Sequence, residues 1–165
     1  MDAYLENGDM LTEISTIVLR TSLGNLSIRG TSRGILAVTF AEEPTEQLQG
    51  ISPFLEQCLH ELEEYFSGNR RAFSVPLVMR GTDFQQRVWD ALLEIPFGQT
   101  VTYGELAKEV GHPGAARAIG TAVGDNPLPI IVPCHRVLPA TGGIGEYASG
   151  SHRKEWLLRH EGVAL

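Results

Sequence analysis

Cysteine is scarce. Cys58 and Cys134 are the only two in 165 residues, too few for a disulfide framework or an all-cysteine zinc site. No stretch approaches the ~20 uncharged apolar residues of a membrane span, and the first residues are acidic (Asp2, Glu6, Asp9, Glu13) where a secretory leader would be basic. Together these predict a soluble, cytoplasmic protein without membrane attachment. No glycine-rich loop opens a helix in the strand context that phosphate cradling requires, and no metal ligands cluster, Cys58 and His60 alone being a poor pair. The expectation is therefore no cofactor and no metal at the site, with a metal in the first 80 residues left open.

Positive charge is scarce too. Thirteen Lys and Arg face 20 Asp and Glu, a net charge of −7. That excludes an indiscriminate polyanion binder, because phosphate affinity comes from cations that release counterions. Residues 1–80 hold 6 cations against 11 carboxylates and residues 81–165 hold 7 against 9, so any nucleic-acid contact belongs to the second half.

What is present reads as two small units. Apolar runs rich in β-branched residues at Ile14–Leu19, Leu26–Ile28 and Ile35–Phe40, separated by Gly24-Asn25 and by Gly30 to Gly34, predict a small antiparallel sheet. Phe54, Leu55, Cys58, Leu59, Leu62, Tyr65 and Phe66 then recur at helical spacing, with Ser52 as N-cap, Pro53 at the first position and Gly68 at the end. Cys58 lies on that apolar stripe, as a small core hydrophobe. Residues 70–81 read as an extended linker or edge strand, since Pro76 suits a central ladder poorly. The fold class expected is α+β: a sheet-and-helix domain over residues 1–80, then an α-rich domain over residues 81–165.

Thr82 caps a helix carrying Phe84, Val88, Trp89, Leu92 and Leu93, stopped by Pro96 and Gly98. Thr102 and Glu105 have capping-box spacing. Gly111-His112-Pro113-Gly114 then separates two short helices, the spacing of a helix-turn-helix, which serves either DNA binding or plain packing. Ala115, Ala116, Ala118, Gly120, Thr121 and Ala122 leave the second helix nearly bald, with Arg117 as its one long cation. Few side chains could read a major groove. Close backbone approach to a minor groove, with Arg117 entering the stack, fits better, although small residues also allow tight helix packing.

The densest segment is Asn126 to Val137. Pro127, Pro129 and Pro133 oppose helix and predict an extended backbone carrying Cys134, His135 and Arg136. A free thiol is mostly protonated at neutral pH, so a nucleophile needs a base or a positive neighbour. His135 and Arg136 are both candidates. On an extended backbone neighbouring side chains diverge, so His135 reaches the sulfur directly only if the chain turns there, and a bridging water is the easier geometry. Glu161, closing the helix Arg153–His160 before Gly162, could set the histidine tautomer. From the residues alone, a buried structural cysteine and a nucleophile both stay open.

The run Pro133-Cys-His-Arg-Val137, preceded by Asn126-Pro127 and followed by Gly143-Ile-Gly-Glu-Tyr147 and Lys154-Glu-Trp-Leu-Leu-Arg-His-Glu161-Gly162, resembles the O6-alkylguanine-DNA alkyltransferase family (methylated-DNA–protein-cysteine methyltransferases). The likeness is specific from about Gly81 to Gly162; the first 80 residues fit the family's variable, ribonuclease-H-like structural domain in outline. The resemblance implies direct-reversal DNA repair. Cys134 would take the alkyl group from guanine O6, and from thymine O4, by an SN2-like displacement. His135 would act through a water as base, Glu161 would orient it, Asn126 would brace the turn, and Tyr103 would give a proton to the departing base. The nucleotide must leave the stack to react; Arg117 would enter the vacancy from the minor groove, with Ala116 and Ala118 beside it on the DNA-binding helix.

Main-chain groups around Cys134, Val137 and Ala148 would hold the flipped base, with Tyr147 lining the pocket and Lys154 nearby. As plain features, Tyr147 would be ordinary packing and Lys154 a solvated helix face. Ser149 stands where relatives often carry glycine, which narrows the pocket or stiffens its loop. The product would be a thioether, so each protein would act once. The partner implied is double-stranded DNA containing O6-alkylguanine, bound by a monomer without an obligate protein partner and with room for cooperativity along the duplex. Given the acidity, affinity should be modest and fall steeply with salt. Rival classes are an alkyltransferase-like lesion sensor, which would have tryptophan in place of Cys134, a helix-turn-helix regulator, and a Cys-His hydrolase or acyltransferase.

Overall fold

The structure, a computed structural model, describes residues 3–4, 10–11, 14–41 and 52–165. Contacts divide the chain into two units, Met1–Met79 and Arg80–Leu165. The acidic lead before Ile14 lies outside the described residues except for the antiparallel pair β1 (Ala3–Tyr4) and β2 (Met10–Leu11).

In the first unit, β3 (Ser15–Thr21), β4 (Gly24–Thr31) and β5 (Gly34–Ala41) form an antiparallel sheet in that order. The sheet is the one the apolar runs predict, but the first turn falls at Ser22-Leu23 and Gly24-Asn25 open β4. Alternation decides which face is buried: Ile17 and Leu19, Leu26 and Ile28, and Val38 meet α1 (Pro53–Phe66). Ser52 caps α1 by accepting from Leu55 N–H, and the stripe Leu55, Cys58, Leu62 and Tyr65 is wholly buried.

The segment after α1 joins β5 by one parallel bridge, Ile35 to Leu77, with Ile35 N–H donating to Pro76 O and Val78 N–H to Ile35 O. Pro76 accepts there and needs no donor. Glu61 ties this segment to α1. Only 3% exposed, its carboxylate accepts from the Ser74 N–H (2.9 Å) and hydroxyl (2.7 Å), the Val75 N–H (3.2 Å) and Gln57 Nε2 (2.9 Å). Burial pushes its pKa up, but those donors outweigh burial and hold it below the usual value. Glu61→Ala strands buried donors and should cost ~2–3 kcal/mol in denaturant melts. Because the folded pKa is depressed, Glu61's contribution is full above the unfolded value of about 4.3 and fades as pH falls through the folded one.

The second unit begins with α2 (Asp83–Leu93), whose Thr82 cap and Gln85 complete a capping box. Trp89 Nε1–H donates to Ala122 O (2.9 Å) and so docks α2 on α4 (Ala116–Gly124). Between them α3 (Tyr103–Glu109) is capped by Thr102, whose Oγ1 accepts from Glu105 N–H (3.1 Å). Glu105 Oε1 takes the Thr102 hydroxyl (3.2 Å), where a full capping box would place it on the Thr102 backbone. That backbone belongs to a ladder instead: β6 (Val101–Thr102) pairs in parallel with β7 (Val137–Leu138). Gly111 and Gly114, at φ 81° and 87°, make the turn between α3 and α4. The helix-turn-helix expected from the sequence is present, and α5 (Ser151–His160) closes the unit. No helix among the described residues is long and apolar enough to cross a membrane.

Candidate active site

The segment before Cys134 is not extended. Asn126 folds it: Nδ2–H donates to Val132 O (2.8 Å), Oδ1 accepts from Leu128 N–H (2.9 Å), and Val132 N–H donates to Leu128 O (2.9 Å). Closing that turn forces Ile130 to φ 76°, a conformation that costs a β-branched residue about 1–3 kcal/mol. Burial of its side chain and the Asn126 bonds hold it there. Pro133, at φ −81° and ψ 65°, makes an inverse γ-turn closed by Cys134 N–H on Val132 O (2.8 Å). Cys134–Arg136 follow as a 3₁₀ turn. Prolines fix φ without dictating an extended chain, and a side chain chosen for its hydrogen bonds overrode the expectation.

Cys134 is 7% exposed and lines a cavity of about 1050 Å³. Tyr103, Ala116, Arg117, Asn126, Tyr147, Ala148 and Ser149 line the same cavity. Ala118 does not; it is exposed elsewhere on α4. Val137 and Lys154 are absent from the lining and buried. The β6–β7 ladder explains how Tyr103 arrives: it starts α3 directly after the strand that pairs with the residues following the 3₁₀ turn. Pro139, Gly145 and Glu146 also line the cavity; the sequence showed the last two only as part of the Gly143–Tyr147 run, with no role assigned, and did not single out Pro139. Gly145 is at φ 75° and a Cβ there would stand 2.8 Å from the Pro139 ring.

Lys154 is a correction to the solvated helix face that its sequence position suggests. It is 1% exposed, and Nζ donates to Val137 O (2.7 Å) and Glu146 O (3.3 Å), tying α5 to both ends of the loop that walls the cavity. Nζ lies 5.9 Å from the Tyr103 ring centroid. Burial pulls its pKa down to about 8, against the opposing field of Cys134. Tyr147 is likewise more than packing: it lines the cavity beside Cys134, and its polar side chain lowers the thiol's pKa.

Burial pushes the Cys134 thiol up; the polar side chains of Asn126 and Tyr147 and the Lys154 charge offset part of the shift. Tyr103 is raised by burial and by the negative fields of Cys134 and Glu146, so it keeps its proton as a donor. Behind the sulfur, His135 Nε2 and Glu161 Oε2 are 2.7 Å apart, both side chains fully enclosed. Arg136 Nε–H donates to Glu161 Oε1 (2.7 Å), Nη2–H to Oε2 (2.9 Å) and Nη1–H to Ile95 O (2.6 Å). Burial raises Glu161, but His135 and Arg136 overwhelm it and hold the carboxyl far below the usual range. Burial pushes His135 down, and Glu161 only partly restores it. A neutral ring beside an ionised carboxylate carries its proton on Nε2, which leaves the lone pair on Nδ1. Nδ1 is buried without a protein partner. The arrangement can take a proton at Nδ1 while a thiol reacts in the cavity. No group of three or more potential metal ligands occurs among the described residues.

A buried thiol with a histidine–carboxylate pair behind it, opening beside the second helix of a helix-turn-helix, defines a thiol-dependent enzyme built on a nucleic-acid-binding scaffold. Residues 83–163 match the family described as the 6-O-methylguanine DNA methyltransferase DNA binding domain, and residues 14–79 its ribonuclease-like domain. A methylated-DNA–protein-cysteine methyltransferase of Methanosarcina acetivorans is 42% identical over 151 residues, 88% of this chain and 96% of that one. The crystal structure of Mycobacterium tuberculosis O6-methylguanine methyltransferase superposes with a TM-score of 0.82 at 40% identity, covering 90% of this chain and 93% of that one. A structure of the M. tuberculosis protein in complex with DNA gives 0.78 at 42% identity, covering 87% and 90%. The chain belongs to the methylated-DNA–protein-cysteine methyltransferase family.

Proposed function

We propose that this protein repairs DNA by moving the alkyl group of O6-alkylguanine, and of O4-alkylthymine, irreversibly to Cys134, with residues 81–165 binding DNA and carrying the chemistry and residues 1–80 supporting them. The observation that carries this reading is the Cys134 thiol, 7% exposed, at a cavity walled by α4 and backed by His135 and Glu161. In the reaction the sulfur–carbon bond forms as the carbon–O6 bond breaks, and the bonding pair leaves with the guanine. His135 Nδ1 takes the thiol proton through a water, and the Tyr103 hydroxyl donates to the departing base. The polar side chains of Asn126 and Tyr147 stabilise the sulfur as charge develops on it. A thioether offers no ready leaving group, so the protein acts once.

An alkyl group inside a duplex cannot meet a sulfur in line, so the nucleotide flips into the cavity. Ala116 and Ala118 let α4 approach the minor groove, and exposed Arg117 fills the vacated stack. Arg117→Ala leaves the fold intact. It should slow repair of duplex by at least ~10-fold, because unstacking costs a few kcal/mol, while sparing transfer from free O6-methylguanine. Parallel rate measurements on the two substrates check this. With alkylated duplex in excess, repair should stop at one lesion per protein molecule; continued turnover would favour a Cys-His hydrolase-like cycle. Affinity should fall steeply between low and physiological salt.

A further inference from the structure

Arg136 makes three hydrogen bonds of 2.6–2.9 Å, two of them to the carboxylate that also holds His135. We infer that Arg136 is a positioning residue for the transfer proposed above: by clamping both oxygens of Glu161 it keeps His135 neutral, with the proton on Nε2 and Nδ1 free to act as the base. The inference rests on that reading for its purpose, but not for its geometry.

A lone buried carboxylate 2.7 Å from an imidazole favours the imidazolium. Such a ring would already hold the proton it is meant to receive. Arg136 supplies the countercharge, so Glu161 orients the ring without protonating it. Among the described residues, the charged groups that act on the ring are few. From α5 and its cap come the Lys154 ammonium and the Glu161 carboxylate, and from the 3₁₀ turn comes Arg136. The stretch before β6 contributes the Ile95 carbonyl on Arg136 and the Gly98 N–H on Glu161 Oε1 (3.3 Å). Arg136 and Lys154 both disfavour the imidazolium and Glu161 favours it. Only Arg136 touches the carboxylate among these cations. A lysine there would keep the charge and lose the planar two-pronged grip.

The test is a ¹⁵N NMR titration of the His135 ring in the full-length protein without DNA, alongside the pH dependence of alkyl transfer. In the unaltered protein the neutral ring should carry its proton on Nε2. Arg136→Gln should move its titration up by at least about one pH unit, and the acid limb of the transfer rate should move up by the same amount. Glu161→Gln should move it down. The double variant, with both charges gone, should fold and titrate about one unit above Glu161→Gln, near the unaltered protein. Arg136→Lys should show little titration shift but slower transfer at every pH. A proton on Nδ1, or coincident titrations of Arg136→Gln with the unaltered protein, overturns the inference. If Arg136→Gln does not fold, coincidence of the double variant with Glu161→Gln does the same. The expected titrations without any alkyl transfer would count against the proposed function alone.

Discussion

Replacing Glu161 with alanine is expected to cost the protein ~3–5 kcal/mol of stability, the usual result of removing one partner from a buried charge pair. Glu161 accepts from Arg136 on both oxygens, from His135 and from the Gly98 N–H. Without it the guanidinium keeps the Ile95 carbonyl as a partner but has no countercharge. His135 Nε2–H loses its acceptor, and both side chains are buried from bulk solvent. The same carboxylate sets an acid limit. Its folded pKa lies far below the unfolded value of about 4.3, so the unfolded chain binds this proton first. The stabilisation is complete above that value and is lost progressively as pH falls below it. Chemical denaturation at pH 7 and pH 3.5 should therefore give a difference between Glu161→Ala and the unaltered protein that is about 1 kcal/mol smaller at the lower pH.

Cys134→Ala is expected to abolish alkyl transfer while leaving the fold and lesion binding in place. The thiol is a small group in a close-packed setting, and its loss should cost about 1 kcal/mol, far less than the removal of Glu161. In the proposed reading duplex binding depends on α4 and Arg117, which the substitution does not touch. Cys134→Ser is the stricter variant: it keeps a hydrogen-bonding group beside Asn126 and Tyr147 but offers an oxygen that these neighbours cannot ionise near neutral pH. Both variants should bind an alkylated duplex, by anisotropy, about as tightly as the unaltered protein, and both should leave the lesion in place. Weakened binding together with lost transfer would mean that the cysteine supports the fold.

The architecture was largely legible in local signals. β-branched runs set the three long strands, and Ser52-Pro53 and Thr82 set the starts of α1 and α2. These signals are local because caps and alternation depend on residues a few places apart. The first hairpin was misplaced by two residues because Gly24 and Asn25 suit a turn yet open β4. The Pro-rich segment misled for a similar reason: proline restricts φ, while the turn at Ile130 is closed by Asn126 reaching six residues ahead to Val132.

In the site, Cys134, His135 and Glu161 stood out from residue type and resemblance. The chemistry of their pairing did not. Which imidazole nitrogen faces Glu161, and that Arg136 grips the same carboxylate, depend on a contact across 25 residues. Lys154 looked like a surface lysine because nothing local announces the Val137 and Glu146 carbonyls that bury it.

All of this turns on one sulfur accepting one carbon once. The direct measurement is peptide mapping by mass spectrometry after incubation with excess duplex containing O6-methylguanine. One methyl group per chain, on the peptide carrying Cys134, with buried Cys58 unmodified at every time point, is the expected result. Methylation of Cys58 in place of Cys134, or loss of the lesion with no methyl group on the protein, would contradict it.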